Sequence, residues 1–585
     1  MRCLPFWVYR LQGAARRQRY FITCHPALDA CYWQQRGSGQ VLVLTPPLSI
    51  ARAEELQHLL QRRLPAADQE AAVIRRQLRR WQLPAPLPAE PVQPLPEWEG
   101  QLAAAHLRQL LGGRILMLEE VERAVKERRL WLSHGLTNLL QYLYLEGEVD
   151  CRATVGIVPH RRCLRCGSSD LRQETCLECG ETEVWVCNSC GEMGAAKSCR
   201  PYYAAATTEG PPPGAAMQEV QLRLPFSLTP AQERAAAALQ RFIGAGPAGP
   251  GVCLFWAVCG AGKTETTLPA LAQVLSAGGR VLWATPRRDV VQELAPRLQA
   301  ALPQVPLAAY HAGTYERFAD TPLVIATTHQ ALRFYAAFDL VILDEADAFP
   351  YAHNPMLELA VRRALRSQGK LVYLTATPSE ELLREAKRGQ VEQVLLPARW
   401  HGQPLPEPEL HLLRLPRPDQ EAWPVPQLLS QLLKDSVERD LCQTLVFVPS
   451  VALAESVGKA LQQHFEQQGI ENWVEYIHAS DPGRLQKRTR FFAGEFPILV
   501  TTTLMERGIT IPRLNIIVLY ANWEQIFSEA VLIQIAGRAG RAADYPRGRV
   551  CFVAERKSRA MQSARQKIMG LNAIAKQVAA TKETH

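Results

Sequence analysis

The sequence predicts an α/β protein with two parallel-sheet units in the second half of the chain, an α+β region at the start and a cysteine-rich module between them. Three observations predict it. After residue 219, apolar runs such as "VCLFWA" and "LVILD" alternate with amphipathic helical stretches, the pattern of βαβ units. Between 163 and 199, three CxxCG turns crowd together. Between these regions, "ATTEGPPPGAA" (206 to 216) is a Pro, Gly and Ala tether that continues neither helix nor strand.

At 585 residues the chain is too long for one hydrophobic core. Its 47% hydrophobic and 21% charged residues are ordinary for a folded domain protein, and a net charge of +9 permits a polyanionic partner without demanding one. No apolar run approaches the roughly 18 residues that span a bilayer. The opening "MRCLPFWVYR" is broken by Arg10 and lacks a small-residue cleavage site, so a cytoplasmic chain is expected. That compartment keeps thiols reduced, so the 15 cysteines call for a reason other than disulfides.

Each element follows in order. Residues 1 to 97 read as an α+β region: strands at "FWVYRL", "RYFITC" and "QVLVLTPP", helices at "AEELQHLLQRRL" and "QEAAVIRRQLRRWQ", then a stiff proline linker at 83 to 96. Residues 98 to 160 are a helical segment whose end, "LTNLLQYLYLEGEV", runs into an expected hairpin of winged-helix type. The cysteine-rich module takes 161 to 203 and a flexible linker 204 to 218. The two parallel-sheet units take 219 to 404 and 405 to 572, parted by the prolines near 403 to 426, and 573 to 585 is a tail.

The chemistry sits in the second half. "GVCLFWAVCGAGKTE" (251 to 265) is a strand, a glycine loop and a helix start. Gly260, Ala261 and Gly262 let the backbone turn its N–H groups toward phosphate oxygens. Lys263 neutralises charge on the β and γ phosphates, Thr264 offers a hydroxyl to Mg²⁺, and Glu265 is counted among the nucleotide-binding residues. A glycine-rich turn without ligand is the alternative, and the GKT ending after a strand argues against it. Downstream, "FDLVILDEADAFP" is a buried strand ending in carboxylates. Asp344 is placed to hold Mg²⁺ and Glu345 to orient an attacking water. "VLIQIAGRAGR" (531 to 541) follows in the second unit, where Gln534, Arg538 and Arg541 suit a helix facing phosphates across a cleft, the arginines as fingers.

Together these motifs resemble the superfamily 2 helicases and translocases over residues 219 to about 560, with "WATPRRDVV", "LTATP" (374 to 378) and "TLVFVPS" (444 to 450) in their expected order. The resemblance implies two RecA-like lobes with ATP between them and a single strand crossing both. It places Gln232 of "LTPAQ" to read adenine, and Thr285, Arg287, Thr502 and Arg507 on the sugar–phosphate backbone. Trp283 and Trp523 are candidates for base stacking, although core packing is the favoured role beside their apolar strands. Thr375-Ala376-Thr377 and QIAGRAGR look like the processive, DNA-tracking branch rather than the RNA-clamping DEAD-box proteins.

"CLRCG" at 163, "CLECG" at 176 and "CNSCG" at 187 each aim two thiolates at one metal, and two such turns close a tetrahedral Zn²⁺ site. Buried structural thiols or a redox pair are the alternatives. The spacing leaves open which knuckles pair, and is compatible with a second site completed by Cys199 or a histidine. Cys3, Cys24, Cys31, Cys151, Cys253, Cys259, Cys442 and Cys551 read as core or incidental residues.

A zinc module before the motor, "CNSCGEMG", "DEADAFPY" and "TTTLMERGIT" resemble the ComFA family of late-competence DNA motors. The resemblance implies a single-stranded-DNA-dependent ATPase using ATP, Mg²⁺ and Zn²⁺, which draws DNA inward during transformation from the inner face of the membrane, with the channel protein ComEC and ComFC as partners. It puts the family's zinc ligands on Cys163, Cys166, Cys187 and Cys190, with Cys176 and Cys179 as an extra pair. A PriA-like replication-restart helicase and a DNA-dependent ATPase that switches without translocating are the competing readings.

Overall fold

The computed structural model describes all residues except 1–2, 13–19, 64–66, 86–89, 96–97, 99, 208–218, 247–248, 250, 315–316, 348–350, 352–353, 418–422, 479, 504–510 and 581–585. The chain forms two compact units. One comprises Met1–Gln221, Val274–Leu343 and Ala348–Leu371; the other comprises Leu222–Gln273, Asp344–Asp347 and Val372–His585.

The first unit opens with strands β1 (Trp7–Gln12), β2 (Tyr20–Thr23) and β3 (Gln40–Val43), paired antiparallel in the order β2-β1-β3. The helix Pro26–Gln35 starts where proline can sit without losing a hydrogen bond, and His25 Nδ1 accepts the Leu28 N–H at 3.2 Å. Buried Asp29 on this helix accepts from Thr23 Oγ1 (2.8 Å) and Gln141 Nε2 (3.0 Å), which ties in the helix Leu136–Leu145. Burial lifts the Asp29 carboxyl to about 7, against the pull of its hydrogen bonds. The proline stretch at 83 to 96 is not a free linker. Val92 N–H donates to the Val41 carbonyl at 3.0 Å and Leu95 N–H to that of Ala27 at 3.2 Å, so its described part lies along the first sheet.

The expected hairpin after 145 also differs. Strands β4 (Arg114–Met117), β5 (Asp150–Ala153) and β10 (Pro201–Ala205) make one antiparallel sheet, β4-β10-β5, so the partner of β5 comes only after the whole cysteine module. That module holds the short pairs β6 (Val155–Gly156) with β7 (Arg162–Cys163) and β8 (Leu171–Glu174) with β9 (Val184–Cys187). Ala204 and Ala205, assigned from sequence to a linker, complete β10, and Thr207 N–H donates to the Ala336 carbonyl at 3.2 Å. Most of the expected tether, 208 to 218, lies outside the described residues.

Arg333, 6% exposed, donates from Nε to Glu120 Oε1 at 2.7 Å, and Glu120 is 5% exposed. Arg363 donates to the Leu164 carbonyl in the first knuckle at 3.2 Å. A buried pair broken on one side leaves an uncompensated charge. Arg333→Ala is therefore expected to destabilise this unit by about 3–5 kcal/mol, read as a lowered unfolding midpoint in denaturant. An unchanged midpoint would show the pair contributes nothing.

The motor strands form two sheets. In the first, β11 (Val252–Ala257), β12 (Val281–Thr285), β13 (Leu307–Tyr310), β14 (Leu323–Thr327), β15 (Phe338–Asp344), β16 (Leu365–Thr375) and β17 (Glu392–Leu396) are ordered β13-β14-β12-β15-β16-β11-β17. The second holds β18 (Glu409–Leu412), β19 (Gln443–Phe447), β20 (Val474–Ile477), β21 (Ile498–Thr501), β22 (Leu514–Leu519) and β23 (Val550–Ala554), ordered β18-β23-β22-β19-β21-β20 with every neighbouring pair parallel. These are two RecA-like lobes. Their strands read as unbroken apolar runs because helices cover both faces of a parallel sheet. The helix Arg559–Ala580 runs well into the stretch read as a tail, and its Asn572 brackets Leu405, accepting its N–H (2.8 Å) and donating to its carbonyl (3.0 Å).

Candidate active site and metal centre

The P-loop is a turn between β11 and the helix Lys263–Ser276. Gly260 (φ +79°) and Gly262 (φ +75°) hold a backbone shape that a side chain would strain. A Cβ on Gly262 would also come within 2.5 Å of Gln232 Nε2. Gln232, 2% exposed, is bound on two sides: its Oε1 accepts the Thr229 N–H at 2.8 Å and its Nε2 donates to the Ala261 carbonyl at 2.8 Å. Its amide buttresses the loop on which Ala261 sits. Thr264 and Glu265 occupy the first turn of the helix, whose N-terminal N–H groups suit anionic phosphate.

Lys263 Nζ lies 3.6 Å from Asp344 Oδ1, at the end of β15. Burial works against the Lys263 ammonium, but Asp344 and Glu345 outweigh it and hold its pKa above the ordinary lysine value. Burial pushes the Asp344 carboxyl up, Lys263 draws it down, and Glu345 adds to the upward push. Glu345 sits at φ +58°, a costly conformation for a side chain that bears a Cβ, with its N–H on the Leu374 carbonyl at 3.0 Å.

Asp347 was not singled out by sequence, yet three groups converge on it. Thr375 Oγ1 (2.6 Å) and Thr377 Oγ1 (2.8 Å) donate to its two oxygens, and Gln534 Nε2 donates to Oδ2. Gln534 also reaches Thr377 Oγ1 at 3.4 Å. The "TAT" turn and the second-lobe helix Glu529–Ala536 therefore meet on one carboxylate. Arg541 stands close to the P-loop, since a Cβ on Gly260 would be 3.8 Å from Arg541 Cγ. Gly537 packs on the same loop, where a Cβ would overlap the Cys259 side chain. Arg538 is buried at 2% exposure.

In the cysteine module, Cys163, Cys166, Cys187 and Cys190 are buried with their sulfurs within 4.8 Å of one another. Cys163 and Cys190 sulfurs are 3.7 Å apart, and those of Cys166 and Cys187 3.5 Å. A tetrahedron with Zn–S bonds of about 2.3 Å has edges of about 3.8 Å, so four thiolates here fit zinc. Arg165, 3% exposed, donates to the carbonyls of Cys190, Met193 and Gly194 beside them, a cation suited to a thiolate cluster. Cysteine spacing had left the pairing open; the fold joins the first knuckle to the third.

The DEAD/DEAH box helicase family matches residues 229–385 and the helicase conserved C-terminal domain matches 425–543. Competence protein ComFA of Bacillus subtilis is 35% identical over 444 residues, covering 76% of this chain and 92% of that protein. The chain belongs to the ComFA family. Competence protein ComFA of Streptococcus pneumoniae agrees, at 35% over 413 residues and 90% of its length. UvrABC system protein B of Chlamydia abortus matches only 39% of the chain at 28% identity. The ComFA matches are longer than the whole stretch from 229 to 543, so they extend beyond the shared motor motifs. This ComFA-family chain is an ATP-dependent superfamily 2 helicase.

The residues expected on DNA are placed less uniformly. Thr285, at the end of β12, is fully buried. Arg287 is paired with Asp289 at 3.0 Å, and Thr502 follows β21 half-buried. Arg507 lies outside the described residues. Trp283 is fully buried, whereas Trp523 is 39% exposed and so is not the core residue its apolar neighbours suggested.

Sequence reading also missed a clamp just beyond β17. Arg399, 2% exposed, donates to the Gly537 carbonyl at 3.1 Å and to that of Gly540; Trp400 Nε1 donates to the Arg541 carbonyl at 3.3 Å, and His401 Nε2 is 3.2 Å from the Gly540 carbonyl. An Arg-Trp-His run in the interlobe stretch was the only signal. Burial lowers the Arg399 pKa to about 10, which Cys259 opposes and Arg541 reinforces, so it stays charged at neutral pH. Arg399→Met would remove two charge-assisted bonds, leaving the Gly537 carbonyl to Arg541 Nε (3.2 Å) and that of Gly540 to His401, and each bond from a charged donor contributes about 1.5–3 kcal/mol. Lower turnover with unchanged DNA affinity is the expected outcome. Turnover equal to the parent's would remove Arg399 from the site.

Proposed function

We propose that this ComFA-family chain is an ATP-driven single-stranded-DNA translocase acting in DNA uptake during natural transformation. The observation that carries the reading is the Asp347 network, because it gives one catalytic-lobe carboxylate a direct bond to the helix Glu529–Ala536, whose following turn leads to Arg538 and Arg541. Hydrolysis and lobe movement then share one set of bonds. In this reading Lys263 neutralises the β and γ phosphates, Glu345 orients the attacking water, and Arg538 and Arg541 stabilise charge on the transferring phosphoryl group. The γ-phosphorus gains a bond to water oxygen and loses its bond to ADP. From the family resemblance, Gln232 is proposed to read adenine and Gln534 to bind at the nucleotide, with Asp347 as the group Gln534 bonds. Thr264 and Asp344 would hold Mg²⁺, which supplies charge neutralisation on the phosphates.

Thr285, Arg287, Thr502 and Arg507 are proposed to track the strand's phosphates. Cys163, Cys166, Cys187 and Cys190 are proposed to hold Zn²⁺, which supplies folding energy to a module with little core of its own. The place in transformation rests on the two relatives named as competence proteins. From the family resemblance, ComEC and ComFC are the proposed partners at the inner face of the membrane; no helix among the described residues is long and apolar enough to cross one.

ATPase assays with single-stranded DNA, duplex DNA and RNA side by side test this. Single-stranded DNA of any sequence is expected to stimulate most. Two arginines on phosphates give a binding slope near −1.4 against log salt, about a sevenfold loss between 50 and 200 mM. Stronger stimulation by RNA, or by neither nucleic acid, would overturn the reading. Stimulation without directional movement along a strand would make the protein a DNA-dependent switch.

A further inference from the structure

The middle knuckle is not a spare. Cys176 and Cys179 lie in the turn between β8 and β9, and Cys199 lies just before β10. Cys3, read from sequence as incidental, joins them: the four sulfurs lie within 4.8 Å of one another, with Cys3 Sγ 3.7 Å from Cys199 Sγ. We propose that Cys3, Cys176, Cys179 and Cys199 form a second tetrathiolate zinc site that fastens the N-terminus of the chain to the cysteine module.

Four features support it. The sulfur spacing matches the roughly 3.8 Å edge of a Zn–S tetrahedron and exceeds the roughly 2.05 Å of a disulfide. The turn repeats that of the first cluster: Gly167 N–H donates to the Cys163 carbonyl at 2.8 Å, and Gly180 N–H to the Cys176 carbonyl at 2.8 Å. Backbone N–H groups of Glu178 and Cys179 reach the Cys176 sulfur, an arrangement that stabilises a thiolate. Arg200 lies beside Cys3 and Cys199 and pairs with Glu119 (2.9 Å) and Glu178 (2.5 Å), a counterpart of Arg165 at the first cluster.

The local packing also calls for a metal. The buried residues here are Cys176, Val184, Val186 and Cys199, with Cys3 against them, and two valines cannot hold a hairpin by burial alone. Zinc at both ends of the β8–β9 hairpin would do so. As each Zn–S bond forms, the thiol proton passes to solvent. The consequence is a link across 196 residues between the strand region at the start of the chain and the module that precedes β10. It does not depend on the motor's assignments or on the first cluster.

The experiment uses the intact chain purified under reducing conditions, with zinc measured per chain and thiol alkylation by iodoacetamide read by mass spectrometry. Two zinc ions per chain are expected. Cys179 is exposed, so a free thiol there would react at once; instead it should be protected until a chelator removes zinc, then become reactive together with Cys3. Cys3→Ser should lose the second equivalent and keep the first. Should that variant fail to fold, the alkylation pattern of the unaltered chain still decides. One zinc per chain with Cys179 alkylated immediately overturns the second site and leaves the first standing. No zinc at all overturns both. A Cys3–Cys199 disulfide in non-reducing spectra would make the cluster a redox pair and overturn it too.

Discussion

Replacing Lys263 by alanine should leave a folded protein that no longer turns over ATP. The loop keeps its shape because Gly260 and Gly262 set it and Gln232 braces Ala261, none of which uses the lysine. What disappears is the ammonium that Asp344, Glu345 and Asp347 hold protonated in the cleft. A preorganised charge aimed at developing phosphate charge is worth about 10²–10³ in rate for a single donor, and here the same group also offsets ground-state repulsion between phosphates and carboxylates. A fall of at least about 10³ in DNA-stimulated turnover is expected, with thermal unfolding close to that of the parent. Glu345→Gln provides the complement, retaining ATP but failing to hydrolyse it. Turnover within tenfold of the parent in Lys263→Ala would refute the P-loop assignment.

Arg541→Ala should cost a comparable amount for a different reason. An arginine finger contributes about 10³–10⁵ in this chemistry. Arg541 sits against Gly260, while Arg399 and Trp400 hold the backbone that carries it. The variant should bind single-stranded DNA as tightly as the parent in fluorescence anisotropy yet lose the stimulation DNA confers. Loss of DNA affinity in step with turnover would place Arg541 on the strand instead of on the nucleotide.

The candidate ATP site was legible because its motifs are local. A strand of buried apolar residues followed by glycines and GKT, or by paired carboxylates, encodes the turn that aims Lys263 or Asp344, so each residue's position follows from its near neighbours. Asp347, Arg399 and Cys3 were not legible for the converse reason. Each acts through groups remote in sequence: Asp347 through Thr375 and Gln534, Arg399 through Gly537 and Gly540, Cys3 through Cys176 and Cys199. Trp523 misled because an apolar strand beside a tryptophan says nothing about what covers its ring.

By itself, then, the sequence determined the α/β class, the two lobes, the glycine loop before the Lys263 helix and the three CxxCG knuckles. Periodicity, glycine turns and CxxC spacing are properties of a few consecutive residues, and backbone sterics translate them directly into shape. Tertiary structure decided which knuckles come together, where spacing left the pairing open, and it alone decided that β5 waits for β10 beyond the module and that the proline stretch lies on the first sheet. It also decided that one carboxylate joins the "TAT" turn to the helix that precedes Arg538 and Arg541. Those choices belong to contacts across long loops. Burial, hydrogen-bond satisfaction and sulfur geometry select among pairings that spacing leaves equally open.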